Sequence, residues 1–352
     1  MPRLTRVEPY TSPGWTRVRR GGGFSYVGPH GERASARDRA RFAELAVPPA
    51  WKDVWIADAA NAHLLAVGVD AAGRRQYLYN PIWRERQDIE KFDRMVLLAR
   101  VLPEARLTAE RELSVGLAEH GLEEHRVLAA AFRTLDLGAL RVGSEESLAA
   151  ARHRGLTTLL VRNATVETRG AASADATAHP PVVRFRFRAK DGIAQDLSVG
   201  DAALAGFVTL ARERAASARL YAWRAEHTRR HRALTAAEVN DDIRRRTGGD
   251  FTAKDFRTLR GTIVAAERLA EIGVESSARA RAAAMRDAVV ATSVALGNTP
   301  AIAKASYVDP RVFTAYDRGV VLSRRGAAER ALIALVAADA ESAPGVEAGS
   351  AA

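Results

Sequence analysis

Four short segments carry side chains that could act together on an anion. "LGALRVGSEES" places Arg141 just after an apolar helix end, and "KDFRTLRGT" places Arg257 in the first turns of a helix. Backbone N–H groups at a helix start already favour negative charge. "FRAKDG" holds Lys190 at the mouth of a hairpin turn, and "LGNTPAIAKASYVDPRV" holds Asn298 and, nine residues later, Tyr307. A guanidinium stays charged and can bind two oxygens through its planar fork. A side-chain amide donates a hydrogen bond without titrating near neutrality.

Taken singly, each of these residues has a plainer reading. The chain has 53 Lys and Arg, so any one arginine is by default a solvated charge. A Tyr before Val-Asp-Pro is by default a packed ring with an exposed hydroxyl. Lys190 reads first as a solvated lysine guarding an edge strand. His227 and His231 have the spacing of a metal pair, but no acidic residue lies between them and arginines surround them, so a basic helix face is the better reading. "RRGGGF" lacks the Gly-Lys-Ser/Thr ending of a phosphate loop. Nothing in the chain points to ATP, a dinucleotide, a metal or another cofactor.

The elements that must position these residues are partly readable. In "VVRFRFR" Val183, Phe185 and Phe187 alternate with Arg184, Arg186 and Arg188. That period of two gives one apolar and one cationic face. Asp191-Gly192 then supplies a hairpin turn before a second alternating run. Asn298 and Thr299 suit a helix N-cap and Pro300 the first turn, so a short helix should end close to Tyr307. Thr235 with Glu238, and Thr252 with Asp255, have the offset of a capping box.

Residues 1–90 are rich in Gly, Pro and aromatics; "VWIAD", "HLLAVGVD" and "RRQYLYN" read as strands and "SARDRARFAELAV" as a short helix. From Glu90 onward the apolar period becomes 3.6. The expected fold is therefore α+β: a small antiparallel β-rich domain over 1–90, a larger mostly helical domain over 91–340 with a small β-hairpin sheet, and a disordered tail over 341–352. "GAASADATAHPP" reads as a mobile loop, and the last helix is expected over Arg325 to Ala340. A length of 352 residues exceeds what one compact core usually takes. The formal charge of +11 points to a polyanionic partner, nucleic acid first and an anionic membrane second. The chain shows no apolar run of transmembrane length and no leader, which reads as a soluble intracellular protein. Cys is absent, which removes disulfides, thiolate zinc sites and thiol nucleophiles.

Together and in this order, "LRVGSEE", "GLTTL", "FRAKDG", "KDFRTLRGT" and "GNTPAIAKASY" resemble the type IB DNA topoisomerase family in its short poxvirus-like and bacterial form. "VPPAWKDVWI", "GRRQYLYNPIWRE" and "KFDRM" extend the resemblance into the amino-terminal part. The resemblance implies a topoisomerase IB or tyrosine-recombinase-like fold and an isomerase that relaxes supercoiled duplex DNA without ATP or metal. It implies Tyr307 as nucleophile, forming a 3′-phosphotyrosyl link and releasing a 5′-hydroxyl. Arg141 and Arg257 would clamp the non-bridging oxygens, Asn298 would donate to one of them, and Lys190 would protonate the leaving 5′-oxygen. Many relatives carry His where Asn298 stands, and Gly where Ala189 stands; the second change is expected to stiffen the hairpin.

The resemblance also implies DNA contacts at Gln76, Tyr77 and Tyr79, from an amino-terminal jaw of a clamp round the duplex. Tyr77 and Tyr79 share one strand face by alternation, and the alternative that they pack a sheet interior stays open. Arg184, Arg186 and Arg188 are candidate DNA contacts on the hairpin arm. A monomer in the cytoplasm, associated with the nucleoid, completes the expectation. Tyr316 lies outside the motif and reads as structural. The rivals are a tyrosine recombinase, against which the amino-terminal segments argue, and a non-catalytic DNA-binding protein, against which all five competent catalytic positions argue.

Overall fold

The computed structural model describes residues 2–114, 122–167, 180–224 and 230–341. The stretch read as a mobile loop, except its last two residues, together with His227 and the tail beyond Glu341, lies outside these described residues. The chain divides into two compact units, Met1–Lys91 and Phe92–Ala352.

The first unit is built on an antiparallel sheet of five strands: β1 (Gly14–Arg20), β2 (Gly23–Val27), β3 (Lys52–Ala57), β4 (Leu64–Val69) and β5 (Arg75–Tyr79), in the order β2-β1-β3-β4-β5. Alternation along β3 sends Val54 and Ile56 to one face and Trp55 and Ala57 to the other. The first pair packs with Trp15, Ala66 and Phe42; the second with Ala62, Leu64 and Val67. Phe42 comes from α1 (Ala36–Glu44), whose start is closed by a reciprocal Ser35–Asp38 capping box.

Helix α2 (Pro81–Ser114) contains the division between units and begins nine residues before the 3.6-residue pattern becomes readable at Glu90. Pro81 suits the first helical position, and the Asn80 side chain accepts the Ile82 N–H at 3.0 Å. The second unit continues with α3 (Glu124–Gly138), α4 (Glu145–Ala151), β6 (Ala164–Glu167), β7 (Val182–Arg188), β8 (Ala194–Gly200) and α5 (Ala202–Ala211). A small ribbon of β9 (Ala222–Arg224) and β10 (His231–Ala233) follows. Then come α6 (Ala236–Thr247), α7 (Ala253–Ile272), α8 (Ala278–Leu296), α9 (Pro300–Tyr307), α10 (Pro310–Asp317) and α11 (Ala328–Glu341), the last starting three residues later than expected.

The α+β organisation read from the sequence is thus present, with eleven helices among the described residues. One contiguous core runs through α2, α3, α5, α7 and the sheet β6-β7-β8. Both expected capping boxes form, at Thr235–Glu238 and Thr252–Asp255. Tyr316 is fully buried and donates to the Gly273 carbonyl at 2.7 Å, a structural tyrosine. No helix among the described residues is long and apolar enough to cross a membrane.

Candidate active site

Arg141 owes its place to the end of α3. Ala139 adopts a left-handed conformation (φ 47°) and its N–H closes the helix on the Leu135 carbonyl at 2.8 Å. The chain then turns sharply, and the Arg141 and Val142 carbonyls accept the N–H groups of Leu156 and Thr157, each at 2.9 Å. Two glycines permit this pairing. A Cβ on Gly155 would lie 2.6 Å from the Gly143 Cα, so "RVGSEE" and "GLTTL" pack backbone against backbone.

Arg257 sits one turn into α7 and is only 4% exposed. Its Nη1 donates to the Ala139 carbonyl at 2.5 Å and its Nη2 to the Leu296 carbonyl at 2.9 Å. Both acceptors lie at helix C-terminal ends, where carbonyls lack intrahelical partners and the dipole favours a cation. Its Nε has no partner among the described residues. The guanidinium carbon lies 4.9 Å from the centre of the Tyr307 ring.

Asn298 occupies a corner between two helices. Gly297 ends α8 in a left-handed conformation (φ 59°), and Thr299 caps α9, with Pro300 in its first turn. The Asn298 side-chain oxygen accepts a hydrogen bond from Arg141 Nη2. Its Nδ2 is buried without a partner among the described residues, a costly state unless a ligand atom takes that donor.

Tyr307 is the last residue of α9, as the spacing predicts. It is held from α7: Thr262 Oγ1 donates to its carbonyl at 3.1 Å. A Cβ on Gly261 would lie 2.7 Å from that same carbonyl oxygen, so only glycine lets the two helices approach this closely. Burial pushes the Tyr307 hydroxyl up, but the charge and hydrogen bonding of Arg257, then the charges of Arg141 and Lys254, outweigh it. The net direction is down, toward the nucleophilic phenolate. Burial lowers Arg257 in turn, against the pull of Tyr307.

Lys190 stands apart from these four. It is exposed, at the start of a single 3₁₀ turn, Lys190–Gly192. The last pair of the hairpin is Arg188 with Ala194, so the connection spans residues 189–193 and is longer than a two-residue Asp-Gly turn. Ala189 is extended (φ −90°), a conformation that needs no glycine. It is buried and lines a small cavity shared with Arg141, Phe187, Gln195, Arg257 and Leu296.

The alternation of β7 is as read: Val183, Phe185 and Phe187 are buried, while the arginines point away. Those arginines differ in their engagement. Arg184 grips Asp196 through two bonds of 2.6 Å and reaches Glu167 at 3.3 Å; Arg186 shares Asp196 at 3.3 Å. Arg188 is exposed and has no ion pair with any described residue. In the first unit Gln76 donates to Asp70 at 2.8 Å. Tyr77 and Tyr79 stack, with ring centres 6.1 Å apart. Tyr77 is 43% exposed, whereas Tyr79 packs partly against the Trp55 cluster.

Sequence reading passed over Lys254, Gly261 and Thr262. Helical spacing from Arg257 within "KDFRTLRGT" was the available signal, since 254, 257 and 261 fall on one face.

Residues 80–318 match the family model for the catalytic core of eukaryotic DNA topoisomerase I, and residues 23–70 match that for the N-terminal domain of bacterial DNA topoisomerase IB. A DNA topoisomerase 1B of Acanthamoeba polyphaga mimivirus is 24% identical over 290 residues, covering 80% of this chain and 81% of the viral protein. The core match spans all five candidate catalytic positions and more than half the chain. With the two arginines, the amide and the tyrosine gathered from four separate segments, the chain belongs to the type IB DNA topoisomerase family.

Proposed function

We propose that Tyr307 attacks a phosphodiester of duplex DNA, forming a 3′-phosphotyrosyl link and freeing a 5′-hydroxyl. The bond is kept in the covalent intermediate, so resealing by the returning hydroxyl needs no ATP. Charge builds on the non-bridging oxygens during in-line displacement. Arg141 and Arg257 supply fixed positive charge there, and the free Asn298 Nδ2 donates to one oxygen. Lys190 delivers a proton to the departing 5′-oxygen and recovers it in resealing.

The observation that carries this reading is the unpartnered, buried Asn298 Nδ2 beside Arg141, with Arg257 against the Tyr307 ring. The amino-terminal unit supplies a second DNA-contacting surface, closing a clamp round the duplex, with the exposed Tyr77 ring and with Gln76 and Tyr79 beside it. Arg188 and Arg186 extend the contact from the hairpin arm; Arg184 joins only by giving up Asp196. The cut strand swivels while Tyr307 holds the other end. The enzyme works as a monomer in the cytoplasm, on nucleoid DNA.

Relaxation of supercoiled plasmid, with chelator and without ATP, tests the reading. Wild type should relax the plasmid and Tyr307→Phe should not. Relaxation by Tyr307→Phe would move the nucleophile elsewhere, and inactivity of both would remove the proposed chemistry.

A further inference from the structure

The sheet that carries Lys190 meets the other catalytic segments at two glycines. The inward row of β8 is Gln195, Leu197 and Val199, paired across with Phe187, Phe185 and Val183. Gln195 is the polar exception in that apolar row. A Cβ on Gly138 would lie 2.6 Å from Leu197 Cδ2, and a Cβ on Gly297 would lie 1.8 Å from Gln195 Nε2. Gly138 ends α3, three residues before Arg141; Gly297 ends α8, immediately before Asn298. Each glycine is thus a socket for a β8 side chain at the root of a catalytic segment. The Gln195 amide makes no hydrogen bond with a described residue, so its contact with Gly297 is one of shape. Gln195 and Ala189, the residue before Lys190, line the same cavity as Arg141 and Arg257.

We propose that Gln195 is a positioning residue for Lys190: seated on Gly297, it sets the stand-off of the hairpin tip from the corner that carries Asn298. Lys190 is exposed at the tip of the arm, so its aim depends on how the strand pairs next to the tip, Phe187–Gln195 among them, are seated. Support of this kind matters because a misplacement of about 1 Å can cost roughly 100-fold in rate. The inference rests on the assignment of Lys190 as the acid.

The test is single-turnover cleavage of a duplex at a mapped scissile position, with either the ordinary 5′-oxygen or a 5′-sulfur as leaving group. Sulfur leaves without a proton, so it hides a defect confined to Lys190. Gln195→Ala should slow the oxygen substrate by up to about 100-fold and leave the sulfur substrate near wild type. Gln195→Met, which keeps the length without the amide, should restore the rate on oxygen. An equal defect on both substrates, or none on either, overturns the proposal. Lys190→Ala runs alongside: if sulfur fails to relieve it, the acid assignment itself falls. If sulfur relieves Lys190→Ala but not Gln195→Ala, the positioning role alone falls.

Discussion

Arg141 donates to the side-chain oxygen of Asn298 across 157 residues of sequence, and the Asn298 amide nitrogen is left buried and free. One amide therefore does two things: it holds an arginine and keeps a donor ready. Asn298→Asp preserves the shape and the acceptor but removes the donor and adds negative charge where an anion must bind. Loss of one such donor costs about 100- to 1000-fold. Single-turnover cleavage should fall by at least that much while DNA binding persists.

Asn298→His should introduce a pH dependence that the wild type lacks. A neutral imidazole can accept from Arg141 or donate to the phosphate, whereas a protonated one can only donate and faces Arg141 as a like charge. Cleavage by the variant should decline as pH falls through about 6.5. The wild type should show no such limb, because an amide does not titrate there.

Gly261→Ala should separate activity from stability. Alanine favours a helix over glycine by about 1 kcal/mol, but here its Cβ would lie 2.7 Å from the Tyr307 carbonyl oxygen. The helix carrying Tyr307 must shift. Thermal unfolding should change little, and cleavage should drop by roughly 100-fold.

The Tyr307 hydroxyl is lowered because Arg257, Arg141 and Lys254 together outweigh the effect of burial. A lowered phenol gains its nucleophilic form at lower pH, so the alkaline rise in wild-type cleavage should come below the ordinary tyrosine value near 10. Arg257→Gln removes the main attracting charge and leaves only Arg141 and Lys254 to oppose burial, which raises the group. The rise should then move to higher pH, measured as the pH–rate profile or by ultraviolet titration of the phenolate.

Tyr316→Phe removes only a hydrogen bond to the Gly273 carbonyl. The cost should be about 1 kcal/mol of stability, with adduct formation intact. Tyr307→Phe should do the reverse, keeping the fold and forming no adduct under denaturing electrophoresis.

Much of this site is legible in the sequence alone. The alternation of β7, the capping pairs and the short helix ending at Tyr307 all follow from local periodicity and cap chemistry. Local pattern reports which face of an element is buried; it does not report which distant element covers it. That is why the Arg141–Asn298 bond, the two carbonyls held by Arg257 and the seat of Gln195 were out of reach. The cationic face of β7 was legible, but not that Asp196 on the neighbouring strand draws in Arg184 and Arg186. The early start of α2 was missed because its first turns lack the apolar period and begin instead on Asn80-Pro81.

Arg257 faces the Tyr307 ring while fastening the ends of two helices, at Ala139 and Leu296. Decay of such an enzyme would consequently follow an order. A lineage released from the need to cut DNA could lose Tyr307 or Lys190 and still fold, persisting as a passive DNA binder. Losing Arg257 would strand two carbonyls of buried residues, at about 1–3 kcal/mol each. Inactive descendants should keep the arginine long after the tyrosine has gone.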